Sequence, residues 1–112
     1  NEDITIYGDG SQTRSFSFVD DTVNGIIALM ESNQNDVFNI GNPNEISVNE
    51  LASTIIDLTN SNSKLINKDL PRDDTKQRWP DITKAKKLLN WEPVVKLEDG
   101  LTQTIDWVNS QL

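Results

Sequence analysis

The sequence predicts an α/β fold of short strands and about four helices, organised as a single unit over residues 1–112. Three observations carry that expectation. Runs that alternate apolar and polar residues, such as Ile4-Thr5-Ile6-Tyr7, are interleaved with stretches whose apolar residues recur every three or four positions. Turn formers stand between them, in Gly8-Asp9-Gly10 and Gly41-Asn42-Pro43. The composition is 35% hydrophobic and 25% charged, which supplies a modest core and argues against disorder. No repeat, low-complexity segment or linker interrupts the chain.

In order, Ile4-Thr5-Ile6-Tyr7 reads as a strand that starts almost at the first residue. With no methionine ahead of it, the chain reads as a domain cut from something longer. After the glycine turn, Phe16-Ser17-Phe18-Val19 resumes the strand period. Asp20 or Asp21 then caps a helix carrying Val23, Ile26, Ile27 and Met30 and ending near Glu31. Val37-Phe38-Asn39-Ile40 reads as a short strand. Ser47 and Glu50 have the spacing of a capping box, and a helix through Leu51, Ile55 and Leu58 follows. Lys64-Leu65-Ile66 is a third short strand, whereas the polar stretch 68–78 predicts no regular structure. Asp81 caps a helix to about Leu89 that Trp91-Glu92-Pro93 terminates. A last helix from about Leu97 carries Leu101, Ile105 and Val108. Trp91 and Trp107, at helical positions, read as core anchors.

Composition excludes whole classes of function. A net charge of −8 and a pI near 4.3 repel polyphosphates, so nonspecific binding to nucleic acid or an anionic membrane is not expected, and any phosphate site must be local. With no cysteine there are no disulfides or thiolate metal sites, and with no histidine the usual neutral-pH proton carrier is missing. Asp20-Asp21 and Asp73-Asp74 are adjacent pairs without the alternating spacing of a calcium loop, so no metal site is predicted. No apolar run approaches the roughly 18 residues of a membrane span, and a cytoplasmic protein is the default expectation.

Against that acidic background, two arginines lie in polar, turn-rich segments: Arg14 in YGDGSQTRSF (7–16) and Arg78 in RDDTKQRWPD (72–81). Guanidinium suits bidentate phosphate contacts, so the pair reads as a split clamp for a diphosphate. A carboxylate such as Asp74 suits a vicinal diol, because it accepts two hydrogen bonds. If the glycine turn returns the chain beside the first strand, Arg14 projects toward the sheet end where α/β folds place ligands. Taken singly, each residue also has an ordinary reading. A loop arginine is usually solvated, Tyr7 is usually an amphipathic core residue, and Asp81 is simply a helix cap left out of the site.

The ordered motifs YGDGSQTRSFSFVDD, FNIGNP and DDTKQRWPDITKAKKLLNWEP resemble the C-terminal third of the UDP-glucuronate decarboxylases, a branch of the extended short-chain dehydrogenase/reductases. The resemblance covers nearly the whole chain. It implies a nucleotide-sugar-binding domain whose NAD-binding Rossmann partner is absent, in an enzyme that converts UDP-glucuronate to UDP-xylose and carbon dioxide. It gives Arg14 and Arg78 to the diphosphate, Tyr7 to the wall beside the uracil, Asp74 to the ribose hydroxyls and Gln12 to an added polar contact. It further implies a homodimeric parent whose dimer is built by helices outside this region, and hence a monomer for this piece. Thr75 and Trp79 depart from the proline and lysine usual in the decarboxylases. Many related epimerases carry an arginine where this chain has Pro71, and its absence together with Arg78 favours the decarboxylase branch.

The chemistry itself has no seat in the sequence. There is no Gly-x-Gly-x-x-Gly turn to present a pyrophosphate to a helix, and four residues after the only tyrosine, Tyr7, stands Ser11 rather than the lysine of a Tyr-x-x-x-Lys pair. No catalytic residue and no cofactor site are therefore expected in this chain. Two other readings stand beside the decarboxylase: the same part of a nucleotide-sugar 4-epimerase or 4,6-dehydratase, and a noncatalytic interaction module.

Overall fold

The structure, a computed structural model, describes all residues 1–112. Along the chain run β1 (Ile4–Tyr7), β2 (Thr13–Ser15), α1 (Val19–Glu31), β3 (Glu45–Ser47), α2 (Val48–Thr59), β4 (Leu65–Lys68), α3 (Thr83–Leu89) and α4 (Leu97–Gln111). The strands form two separate two-stranded sheets. β1 and β4 are parallel, with Ile4 opposite Leu65 and Tyr7 opposite Lys68, and Ile6 is the fully buried residue of the pair. β2 and β3 are antiparallel, with Arg14 opposite Ile46.

The glycine turn therefore does not return the chain beside β1; it carries it across to a different sheet. Gly8 and Gly10 both hold positive φ, 77° and 76°, which a side chain resists. At Gly10 space forbids one as well, since a Cβ would lie 2.0 Å from Asn49 Oδ1. Asn49 uses this approach to donate from Nδ2 to Asp9 O at 2.7 Å, while its own N–H donates to Gly10 O at 3.1 Å. The start of α2 is thus welded to the turn that leads into β2. That start carries the capping box the spacing predicts: Ser47 Oγ accepts from Glu50 N–H, and Glu50 Oε2 accepts from Ser47 N–H, each at 3.1 Å.

Ile82, Ala85 and Trp91 form the small core, with Ala28, Phe38, Ile40 and Leu89 packed on it. Gly25 lets α1 approach this cluster, because a Cβ there would lie 2.6 Å from Ile40 and 2.9 Å from the Trp91 ring. The indole N–H of Trp91 donates to Asp21 O at 3.1 Å. The Asp21 carboxylate, 2% exposed, accepts from the backbone N–H groups of Val94 at 3.1 Å and Val95 at 2.9 Å. One aspartate in the first turn of α1 thereby fixes the segment that leads into α4.

Several expectations are corrected. Neither Asp20 nor Asp21 caps α1: the helix starts earlier, with Phe18 at the N-cap position and no side-chain cap, so both aspartates fall in its first turn. Phe16-Ser17-Phe18-Val19 is not a strand; pairing with β3 stops at Ser15, and Val19 already belongs to the helix. Residues 37–40 keep the alternation of a strand, Phe38 and Ile40 half-buried and Val37 and Asn39 exposed, yet have no strand beside them. Asp81 serves α3 from one residue before the N-cap position, accepting from Thr83 N–H at 2.9 Å. Trp91 anchors the core at 8% exposed, whereas Trp107 is 64% exposed and lines a surface cleft with Phe18 and Val19 instead of entering the core.

The molecule is a slab of 49 × 36 × 19 Å with a radius of gyration of 16.5 Å. A self-contained domain of this length has a radius near ~13 Å. Burial is correspondingly sparse, and no helix is long and apolar enough to cross a membrane.

Candidate functional site

β2 positions the first arginine. Arg14 lies in its middle and reaches over the polar loop that the sequence left without regular structure. Its Nη1 donates to Thr13 O at 2.7 Å and to Thr75 O at 2.8 Å, while Nη2 makes a close ion pair with Asp74 Oδ1. The loop is also tied to the strand through its backbone, by Thr13 N–H to Lys76 O at 2.8 Å, and turns on itself through Asp74 N–H to Pro71 O at 3.2 Å. Guanidinium carries five N–H donors. Three are engaged here, which leaves two for an incoming anion.

Arg78 emerges from the far end of the same loop. Together with Arg14, Ser15, Asn39, Trp79, Pro80 and Asp81 it lines a cleft of about 490 Å³. Arg78 forms no ion pair, so its donors are free. Two guanidinium groups separated by 64 positions in the sequence (78 − 14) therefore share one concavity. The acid in that cleft is Asp81, whose carboxyl is held below the usual carboxylate range by hydrogen bonds from the side chain and backbone of Thr83.

The remaining site candidates sit to the side. Gln12 is buried at 8% exposed and its Nε2 donates to Tyr7 O at 2.7 Å, so the side chain braces the turn and keeps its carbonyl oxygen as the spare group. It lines a second cleft, of about 780 Å³, with Asp9, Ser11, Thr13, Leu70, Lys76 and Gln77. Tyr7, half-exposed at the end of β1, lines neither cleft. Asp74 joins the cluster through Arg14. Asn39 and Trp79 line the arginine cleft without any sequence signal having singled them out: Asn39 read as a mid-strand residue, and Trp79 is an exposed aromatic in a loop. No three acidic groups converge in a metal-holding geometry.

Comparison with known proteins gives the arrangement a context. A family model described as GDP-mannose 4,6 dehydratase matches residues 1–104. Among curated proteins, the chain is 47% identical over 111 residues to UDP-glucuronic acid decarboxylase 1 of Xenopus tropicalis, covering 99% of this chain and 26% of that protein. It is 49% identical over 100 residues to UDP-glucuronic acid decarboxylase 4 of Arabidopsis thaliana, covering 89% of this chain and 23% of that protein. The chain thus spans about a quarter of the length of these relatives. Among solved structures, a UDP-glucose 4-epimerase from Thermotoga maritima, determined with UDP-glucose, superposes with a TM-score of 0.92 at 35% identity, covering 97% of this chain and 35% of that one. A UDP-glucuronic acid 4-epimerase from Bacillus cereus, in complex with UDP-glucuronic acid and NAD, superposes at 0.90 and 33% identity, covering 98% of this chain and 36% of that one.

Proposed function

The chain belongs to the GDP-mannose 4,6 dehydratase family, and from that premise we propose that it is the UDP-sugar-binding portion of an NAD-dependent UDP-glucuronate decarboxylase. The observation that carries this reading is the convergence of Arg14 and Arg78 on one cleft. The identity of the curated relatives, decarboxylases at 47–49%, supports the choice of reaction.

In this reading the diphosphate lies between the two guanidinium groups, each contributing charge-assisted hydrogen bonds, Arg14 through the donors left over from its carbonyl and carboxylate contacts. Asp74 turns its unshared oxygen to the ribose hydroxyls. Tyr7 walls the uracil side, and Gln12 offers its free amide oxygen. The loop arrives already tethered by Thr13 and Arg14, so little ordering is left to oppose binding.

Nothing in this chain fits NAD: it has no glycine-rich turn at a helix N-terminus and no Tyr-x-x-x-Lys pair, so no hydride or proton-abstraction step is derived from its residues. The function of these residues is to bind and orient. Alone, the chain is a monomer that binds UDP weakly and turns nothing over.

NMR of this chain tests the binding role. UDP at millimolar concentration should shift the guanidinium signals of Arg14 and Arg78 while uridine leaves them in place; equal response to both ligands, or none to UDP, contradicts it. A second reading, 4-epimerisation, is favoured by the solved neighbours, which are epimerases at 33–35% identity. Carbon dioxide release from UDP-glucuronate by the intact enzyme separates the two, and no release defeats the decarboxylase.

A further inference from the structure

Phe38 and Ile40 pack on the core of Ile82, Ala85 and Trp91, so Asn39, which stands between them, is turned the other way and lines the arginine cleft. Its Nδ2 donates to Asp81 O at 3.1 Å. The acceptor is a carbonyl oxygen, so the contact needs an amide NH₂ and a carboxylate cannot replace it. Two further contacts join the same pair of segments. Lys84 Nζ, 4.7 Å from the centre of the Phe38 ring, donates to Val37 O at 2.9 Å and pairs with Asp36. Pro80 lies so close to Gly41 that a Cβ added there would be 3.0 Å from Pro80 Cγ. Residues 37–41 thus form a rail along which residues 80–84 are fixed.

The two arginines reach their shared cleft with unequal support. Arg14 is held through its own side chain, by Thr13 O, Thr75 O and Asp74. Arg78 forms no ion pair, so its place is set by the main chain on either side of it. Upstream, that chain is tied by Thr13 N–H to Lys76 O at 2.8 Å, and downstream by the Asn39 amide to Asp81 O at 3.1 Å. Between Arg78 and Asp81 stands Pro80, whose ring fixes φ and stiffens the link. We propose that Asn39 is a positioning residue for the anion site: by holding Asp81 O against the rail, it sets where Arg78 stands relative to Arg14. The proposal rests on the reading of the two arginines as one diphosphate clamp, and adds to it a residue that acts through Arg78 without touching the ligand. An arginine at the end of a loose loop must be ordered when the anion arrives, which weakens binding. The hydrogen bond from Asn39 does that ordering beforehand.

UDP titrations of the unsubstituted chain and two variants test it, together with heteronuclear NOEs recorded without ligand. Asn39→Ala should raise the UDP midpoint by about three- to tenfold, as expected for one neutral hydrogen bond. Asn39→Asp, equal in shape but unable to donate, should lose at least as much. In the unliganded Asn39→Ala chain the NOEs at the backbone amides of Arg78 and Trp79 should fall while those of Arg14 and Ser15 hold, and the melting midpoint should move by no more than about 3 °C. A merely structural contact gives the opposite pattern, a lower melting midpoint with unchanged UDP affinity, and overturns the proposal. Weaker binding with unchanged NOEs overturns it too, because Asn39 then contacts the ligand itself. If the unsubstituted chain does not bind UDP, the clamp reading falls and the positioning role with it; if it binds and both variants bind equally well, only the positioning role falls.

Discussion

The two sides of this small protein are built to different degrees of completion. On the side of β2 and the 70–80 loop, polar groups find one another: Arg14 spans Thr13, Asp74 and Thr75, Gln12 braces Tyr7, and Lys76 is tied to Thr13 through the backbone. On the side of α1, apolar side chains stand in water. The polar face needs only a small anion to be finished. The apolar face needs a surface.

That contrast can be broken most forcefully at the point where the two sides share support. Trp91 is the one large buried aromatic, packed between Gly25 of α1 and the α3 turn that follows the loop. Trp91→Ala should cost about 3–5 kcal/mol, enough to abolish the cooperative urea transition of a core this small. A retained transition with a shifted midpoint would mean the two sides are supported separately.

Next in size are the arginines. Arg14→Ala or Arg78→Ala should weaken UDP binding by about 1.5–3 kcal/mol, moving the midpoint of an NMR titration out by tenfold or more. The amide signals of α1 should stay put in both variants, because neither arginine touches that helix.

Asp21 offers a finer test of the joint between α1 and α4. Asp21→Asn places an amide NH₂ opposite one of the two backbone N–H donors of Val94 and Val95, which should cost about 1–3 kcal/mol in urea unfolding. Asp20→Asn, exposed in the same helix turn, should cost no more than about 0.5 kcal/mol.

What the sequence made legible divides along the same line. Local signals held: the Ser47–Glu50 box, the start of β1, and the helices ending at Glu31 and beginning at Leu97 lie where spacing placed them. Signals that depend on a distant partner did not carry. Alternation at 16–19 and 37–40 reports side chains that are alternately covered, but a strand also needs a ladder, and β2 found β3 from three residues earlier in the chain while 37–40 found none. Trp107 was misplaced for a related reason, since helical spacing marks a face without saying what lies opposite it. At the site, residue type pointed to Arg14 and Arg78, yet neither the close pairing of Arg14 with Asp74 nor the contribution of Asn39 and Asp81 to the cleft wall follows from spacing, because a loop without regular structure has no period to read.

The smallest expected effect is electrostatic. The Glu50 carboxyl is lowered first by the Ser47 side chain and then by its backbone N–H, and Asp81 is lowered likewise by Thr83. A carboxyl with a depressed folded pKa stabilises above its unfolded pKa and loses that contribution as pH falls through the folded one. Stability should therefore be flat from pH 7 to about 5 and decline below about 4, and helicity reported at α2 should fray first. A decline that begins above pH 6 would point to a group other than these carboxylates.

One measurement bears most directly on the claim that the two arginines serve a single ligand. Followed together during one UDP titration of this chain, the guanidinium signals of Arg14 and Arg78 should move along the same saturation curve with one common midpoint. Movement of only one of them, or two curves with separate midpoints, would contradict a shared diphosphate site.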